Sequence, residues 1–291
     1  MKKLKFKKSH FSQFSFGWVG VYIFMTAVVA FTALPMVYLI STAFKPLNEL
    51  YIFPPQFFVR NPTLKNFYDL MASIKSSSVP YVRYVFNSLF ITVTTVVLTV
   101  LVSTLGAYGL VKHSPPGSKL LFQIVIAALM FSPYVTQIPR YLIMNSIGLM
   151  DTFLAIILPS VATAYNFFLM KQFVEQIPND MIEAARIDGS GEYRIYWKII
   201  MPMLSPAWAT LLVFSFVNSW NDYFSPLIYI SDQAKKTLPL ALTTISGGST
   251  SMGRAGAVAM STLLMTLTNI IIFSLSQKKV METMAYSGIK G

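Results

Sequence analysis

The spacing of charges organises this chain. Stretches free of Asp, Glu, Lys and Arg run over 9–44, 84–111, 120–139, 152–170, 199–221 and 255–277. Each is long enough to cross roughly 30 Å of hydrocarbon at about 1.5 Å per helical residue. Six membrane-spanning helices are therefore predicted, at about 17–40, 85–111, 120–145, 153–172, 206–229 and 256–276. The fold class is all-α and polytopic, because a helix satisfies its own backbone polar groups where no water can. Between the first two spans, Lys45 to Arg83 contains Pro54-Pro55, Asn61-Pro62 and Ser76 to Ser78, and reads as a loop with one short helix near Leu64–Ile74. A second polar segment, Asp232 to Arg254, contains Gly247-Gly248 with several Ser and Thr and reads as a flexible loop.

Composition agrees. Hydrophobic residues make up 54% of the 291 and charged ones 12%, against about 25% charged in a soluble domain. A water-soluble enzyme and a disordered chain are excluded, and the absence of Cys excludes a disulfide scaffold. With only His10 and His113, a histidine-rich metal site or a Ser-His-Asp triad lacks parts. The net charge of +12 is a matter of topology. With the amino terminus inside, Lys2, Lys3, Lys5, Lys7, Lys8, Lys112, Lys119, Lys171, Arg186, Arg194, Lys198, Lys278, Lys279 and Lys290 lie on the inner side, 14 of the 23 basic residues. Both termini are thus expected to be cytoplasmic. The basic residues are scattered between apolar runs, which excludes a nucleic-acid interface. The first apolar run far exceeds the roughly 7–15 residues of a signal-peptide core, so it is expected to remain as a span.

One inner segment has a different character. Five of the 11 acidic residues fall between Glu175 and Glu192. Asp180 and Glu183 have the spacing of a capping box, Gly189 suits a left-handed helix end, and Ser190 can cap a second helix running to about Ile200, before Pro202. Two short cytoplasmic helices at an angle are predicted, and on these signals alone a solvated interfacial hairpin fits equally well. Glu183-Ala184-Ala185, Asp188-Gly189 and the ending Ile200-x-Pro202 resemble the coupling motif of ABC importer permeases. Asn61-Pro62-Thr63-Leu64, Asn87-Ser88, Ser219-Trp220-Asn221-Asp222, Thr237-Leu238-Pro239 and the tail Ser287 to Gly291 are similar to the maltose-type carbohydrate importers, and to the shorter of their two permease subunits. The resemblance covers nearly the whole chain after the first lysines.

That resemblance implies a type I ABC importer permease fold in one domain over 1–291, with a cytoplasmic coupling loop at 178–202. It implies import of a carbohydrate, an oligosaccharide, by alternating access across a bacterial cytoplasmic membrane. The implied partners are a second homologous permease subunit, a cytoplasmic ATPase dimer and an extracytoplasmic solute-binding protein. Carried over, Glu183, Ala184, Ala185, Asp188 and Gly189 are the coupling positions, the tail Gly288 to Gly291 reaches the ATPase, and Gly247 and Gly248 contact the binding protein. No G-x-x-x-x-G-K-[ST] loop occurs, so ATP and Mg are expected in the partner ATPase, with no cofactor or metal in this chain.

Polar groups inside spans are costly and face either a bundle interior or a water path. Gln137, Arg140 and Asn145 lie in span three; Asn218, Trp220, Asn221 and Asp222 lie late in span five. Pro133 and Pro139 loosen the third helix, as expected beside a cavity. One reading is a translocation path whose amides bond sugar hydroxyls while Trp220, Tyr134 or Tyr223 stack on sugar faces. The other is that these groups join helices to one another or sit at the interface. Arg140 could meet an anionic sugar, snorkel outward or pair with Asp151. An importer for another solute remains a rival. An ion-coupled secondary transporter would need ionisable groups poised in the spans, and Arg140 and Asp222 are nearly alone there.

Overall fold

A computed structural model describes residues 16–75, 79–246 and 251–288. Helices dominate, and there is no strand among the described residues. They are α1 (Phe16–Phe44), α2 (Leu47–Leu50), α3 (Lys65–Lys75), α4 (Tyr81–Lys112), α5 (Ser118–Leu129), α6 (Gln137–Ser146), α7 (Leu154–Val161) and α8 (Ala164–Glu175). There follow α9 (Asn179–Ile187), α10 (Glu192–Ile195), a π-helical turn (Tyr196–Ile200), α11 (Met201–Met203), α12 (Ser205–Asn221), α13 (Phe224–Tyr229), a 3₁₀ turn (Gln233–Lys235), α14 (Leu238–Ser246) and α15 (Ser251–Gly288).

Three of the expected spans are single helices long and apolar enough to cross a membrane: Trp18–Phe44, Tyr81–Lys112 and Ala255–Lys278. The other three expected spans fall on interrupted helices, two of them bent pairs long and apolar enough to cross. The expected span three falls on α5, a shorter apolar helix, and α6, parted around Pro133 as its prolines foreshadow. Span four is α7 and α8 with a 40° bend, just after Pro159 and at Thr163, whose hydroxyl accepts the Asn166 N–H at 3.4 Å. Span five stops at Asn221 because the Asp222 carboxylate takes the N–H groups of Phe224 and Ser225, both at 3.0 Å, and starts α13.

Helix α1 is apolar all round and exposes Trp18, Tyr22, Phe24 and Phe31, as a lipid-facing helix does. It leans on α15. Helix α4 is the central post, packed by α12, α8 and α7. Its buried stripe Ser88, Thr92, Thr95, Thr99 and Ser103 repeats every three or four residues, so small side chains line one face. Small residues let backbones approach closely where apolar burial alone gives helices no reason to associate. The facing side of α12 buries Ala207, Thr210, Leu211 and Ser215.

The expected helix near Leu64–Ile74 is α3. The segment from Asp232 to Arg254, expected to be flexible, is instead ordered through Ser246 by the 3₁₀ turn and α14, because Leu238, Leu240, Ala241 and Leu242 are buried. Gly247 and Gly248 lie outside the described residues, as do 289–291 of the tail. Ser287 and Gly288 end α15.

Candidate coupling site and translocation path

Helix α9 carries the motif. Pro178, in extended conformation, occupies its N-cap without a side-chain capping bond, so the expected capping box does not form. Asp180 lies in the first turn, where a negative charge complements the helix dipole. The end of α4 supplies the missing support: the Lys112 ammonium donates to the Ile177 carbonyl at 2.5 Å and to Asn179 Oδ1 at 2.8 Å. At the other end Gly189 has φ +78°, with Gly189 N–H on the Arg186 carbonyl at 3.0 Å and Ser190 N–H on that of Ala185 at 2.9 Å. That is the left-handed termination expected, and its φ is what favours glycine there.

The next helix departs from expectation. Gly191, not Ser190, is its N-cap. It runs from α10 through the π-helical turn into α11, past Ile200 and through Pro202. A widened turn suits a proline, which has no N–H to return. The chain then bends by 76° into α12. The Trp208 indole N–H donates to the Met201 carbonyl at 3.1 Å, satisfying an acceptor at the bend.

Ile182 is buried and Ala185 half-buried against the inner core of Tyr108, Met170, Val174, Ile195 and Ile200. Glu183, Ala184, Asp188 and Gly189 are exposed. Glu183 forms no ion pair among the described residues. Around them stand Met181, Ile187, 87% exposed, and Tyr193, 79% exposed. An outward apolar and acidic helix face is thus anchored to the bundle from beneath.

A residue missed in the sequence sits behind this face. Glu192 Oε1 accepts from Arg186 Nε at 2.7 Å, and Oε2 accepts from the Tyr108 hydroxyl at 2.6 Å and lies 3.3 Å from His113 Nε2. Arg186 first, then Tyr108, holds this carboxyl below the usual carboxylate range. Nearby, the Tyr196 hydroxyl meets Thr104 Oγ1 at 2.6 Å. The available signal was an acid and a base flanking Gly189, but a six-residue separation across a turn matches no helix-pairing rule.

The polar groups of spans three and five divide. Trp220 is 3% exposed, its indole N–H donates to the Met265 carbonyl at 3.2 Å, and its ring stacks on Phe216 at 5.8 Å. It joins α12 to α15, as in the second of the two readings. Asn221 also joins helices, accepting from Asn269 of α15 at 3.3 Å while donating to the Val217 carbonyl of its own helix at 2.7 Å. Asp222 starts α13, as described. Asn218 and Asn145 are exposed, and Gln137 and Arg140 half-buried. Arg140 does not meet Asp151, which pairs with Lys235 at 2.7 Å. Tyr141, beside Arg140, stacks on Tyr229 at 6.5 Å. That ring pair is where α6 and α13 meet. Tyr134 and Tyr223 stay exposed.

On the opposite face the remaining motif residues tie loops to helices. Asn87 donates to the carbonyls of Ala234 at 2.8 Å and Lys236 at 2.9 Å, and Ser88 Oγ accepts the Leu238 N–H at 2.8 Å. Asn61 donates its backbone and side-chain N–H to Glu49, at 3.0 and 2.9 Å.

A polytopic helical bundle with an exposed, anchored motif helix is the build of a transport permease. A family model described as binding-protein-dependent transport system inner membrane component matches residues 10–278, and the chain belongs to that family. It is 34% identical over 229 residues to Protein LplC of Bacillus subtilis (strain 168), covering 77% of this chain and 74% of that one. It is 30% identical over 273 residues to the arabinooligosaccharides transport system permease protein AraQ of Halalkalibacterium halodurans, covering 91% and 94%. A crystal structure of a bacterial ABC transporter involved in the import of the acidic polysaccharide alginate matches with a TM-score of 0.79 at 22% identity, covering 93% of this chain and 99% of that one. The fold is that of a type I ABC importer permease, and the chain is a transport component rather than an enzyme.

Proposed function

We propose that this chain is the permease subunit that carries an oligosaccharide inward by alternating access, with both termini cytoplasmic. A second permease subunit completes the path, a cytoplasmic ATPase dimer binds ATP and Mg, and an outer solute-binding protein delivers the sugar. The observation that carries this reading is α9: an exposed face of Glu183, Ala184, Asp188 and Gly189 on a helix tied at both ends to the central post α4. Small alanines permit close approach of a partner, and the unpaired Glu183 can meet a basic ATPase residue. Gln137, Arg140, Asn145 and Asn218 remain available to hydrogen-bond sugar hydroxyls, with Tyr134 and Tyr223 as stacking surfaces. Gly247 and Gly248 are proposed to face the binding protein.

Uptake of labelled oligosaccharides into proteoliposomes containing the whole complex tests this. Glu183→Lys is expected to cut uptake by about tenfold or more, within the usual range of coupling factors, with assembly intact. Undiminished uptake refutes the coupling role. If no sugar-loaded binding protein stimulates ATP hydrolysis while a non-sugar-loaded one does, the carbohydrate assignment fails.

A further inference from the structure

Helix α9 has no long interface with the bundle; it is held at points. Lys112 holds its beginning, Ile182 and Ala185 its underside, and Arg186 its end. The underside contacts are apolar and non-directional, so they tolerate sliding. The Arg186 contact has a fixed direction and length, and it ends on a carboxylate that is also bonded elsewhere.

Glu192 is that carboxylate, and its position is unusual. It is the first residue of α10, which continues through the π-helical turn to the 76° bend and α12. Its two oxygens divide between elements: Oε1 takes Arg186 of α9, and Oε2 takes Tyr108 near the end of α4, with His113 just beyond. One side chain therefore joins the motif helix, the central post and the root of α12. Within a turn of it come a π-helical turn and then a bend, a combination frequent at functional hinges. A fixed joint next to a hinge is what converts a push into a rotation.

We propose that Glu192 is a positioning residue for energy coupling: its bonds to Arg186 and Tyr108 make α9 and the inner end of α4 move together, so that displacement is taken up at Tyr196–Leu204. This rests on the assignment of α9 as the coupling helix. Glu192 does not touch the ATPase or the sugar; it determines how much of the α9 movement reaches the spans.

The chain has no Cys, so introduced cysteines report without background. In the full complex in proteoliposomes, Glu192→Gln should lower sugar transported per ATP hydrolysed by about tenfold while assembly and melting temperature stay near wild type. Arg186→Glu alone should do the same, and the double variant Arg186→Glu with Glu192→Arg should recover a substantial part of the ratio. Spin labels on Ile187→Cys and Ser114→Cys should keep one narrow separation in nucleotide-free and ATP-trapped complexes. With Glu192→Gln added, that separation should broaden or change between the two states. A Gln variant with the wild-type transport ratio overturns the proposal. So does a label separation that already changes between states with Glu192 intact. If the wild-type complex hydrolyses ATP but moves no sugar, the functional assignment fails while the label measurement still decides the joint.

Discussion

The two ends of the bundle, outer and inner in the proposed orientation, use polar side chains in opposite ways. At the outer end they are buried and bond to backbone. Lys45 reaches the Gln56 and Phe57 carbonyls, Glu49 takes the N–H groups of Arg60 and Asn61, and Asn66 donates to the carbonyls of Ala43 and Lys45 at 2.8 and 2.7 Å. At the inner end the principal bonds join one side chain to another in half-exposed positions, as in Arg186–Glu192 and Lys171–Glu175. A buried side chain bonded to backbone leaves a stranded polar group if it lets go, so it holds a loop in one arrangement. A partly exposed single pair such as Lys171–Glu175 can exchange its partner for water at little cost, whereas Glu192 lets go only when its bonds to Arg186 and Tyr108 both break. The outer end is thus a cap that moves as a body, and the inner end is where rearrangement is cheap around that one joint.

The largest expected blow to that contrast is at Gly256. A Cβ there would lie 2.2 Å from Asn66 Oδ1 and 2.5 Å from its Cγ, and Asn66 is locked by two bonds to carbonyls. Gly256→Val should therefore cost about 3 kcal/mol or more, from overpacking plus the lost bonds, read as a lowered melting temperature of the purified complex. If the variant melts like wild type, the cap is not rigid. Next comes Asn87→Ala, which strands the Ala234 and Lys236 carbonyls and should cost about 2 kcal/mol. Hydrogen exchange should show the loosening confined to the 234–238 backbone; loosening spread to α9 would erase the distinction between the two ends.

The smallest effect is with pH. The backbone N–H of Arg60, chiefly, holds the Glu49 carboxyl below its ordinary value of 4.5, and Arg186, chiefly, does the same for Glu192. A depressed carboxylate contributes its full share above its ordinary pKa and loses it as pH falls through the lowered one. Hydrogen-exchange protection of the Arg60 and Asn61 amides, corrected for intrinsic rate, should therefore be flat from about pH 8 to 5 and fall only at pH below the ordinary value of 4.5. A loss of protection between pH 7 and 5 would contradict this account of Glu49.

How far the sequence could be read follows from the same physics. Spans one, two and six were legible because an uninterrupted apolar run forms one helix. The break in span three was legible at Pro133; those in spans four and five depend on Thr163 and Asp222, whose consequences emerge only when a side chain finds a particular N–H. Helix α9 and the left-handed Gly189 were readable from local signals. Glu192 was not, because Tyr108 is 84 residues away and nothing local connects them. Trp220 was left with two readings for a different reason: in a largely apolar helix, periodicity does not distinguish the face turned to a neighbouring helix from the one turned to a cavity.

The 76° bend between α11 and α12 has a mechanical consequence. The short segment carrying Glu192 meets the 17-residue α12 crosswise, in the manner of a crank on a shaft. A displacement of that segment reaches α12 as a sideways torque, not as a thrust along its axis. At about 1.5 Å per residue the arm is about 25 Å long, so a tilt of about 10° at the inner end sweeps the outer end of α12 through about 4 Å. That end carries Asn218 and Asn221, so a sub-helical-turn movement at the α9 end is enough to change the width of the bundle around them.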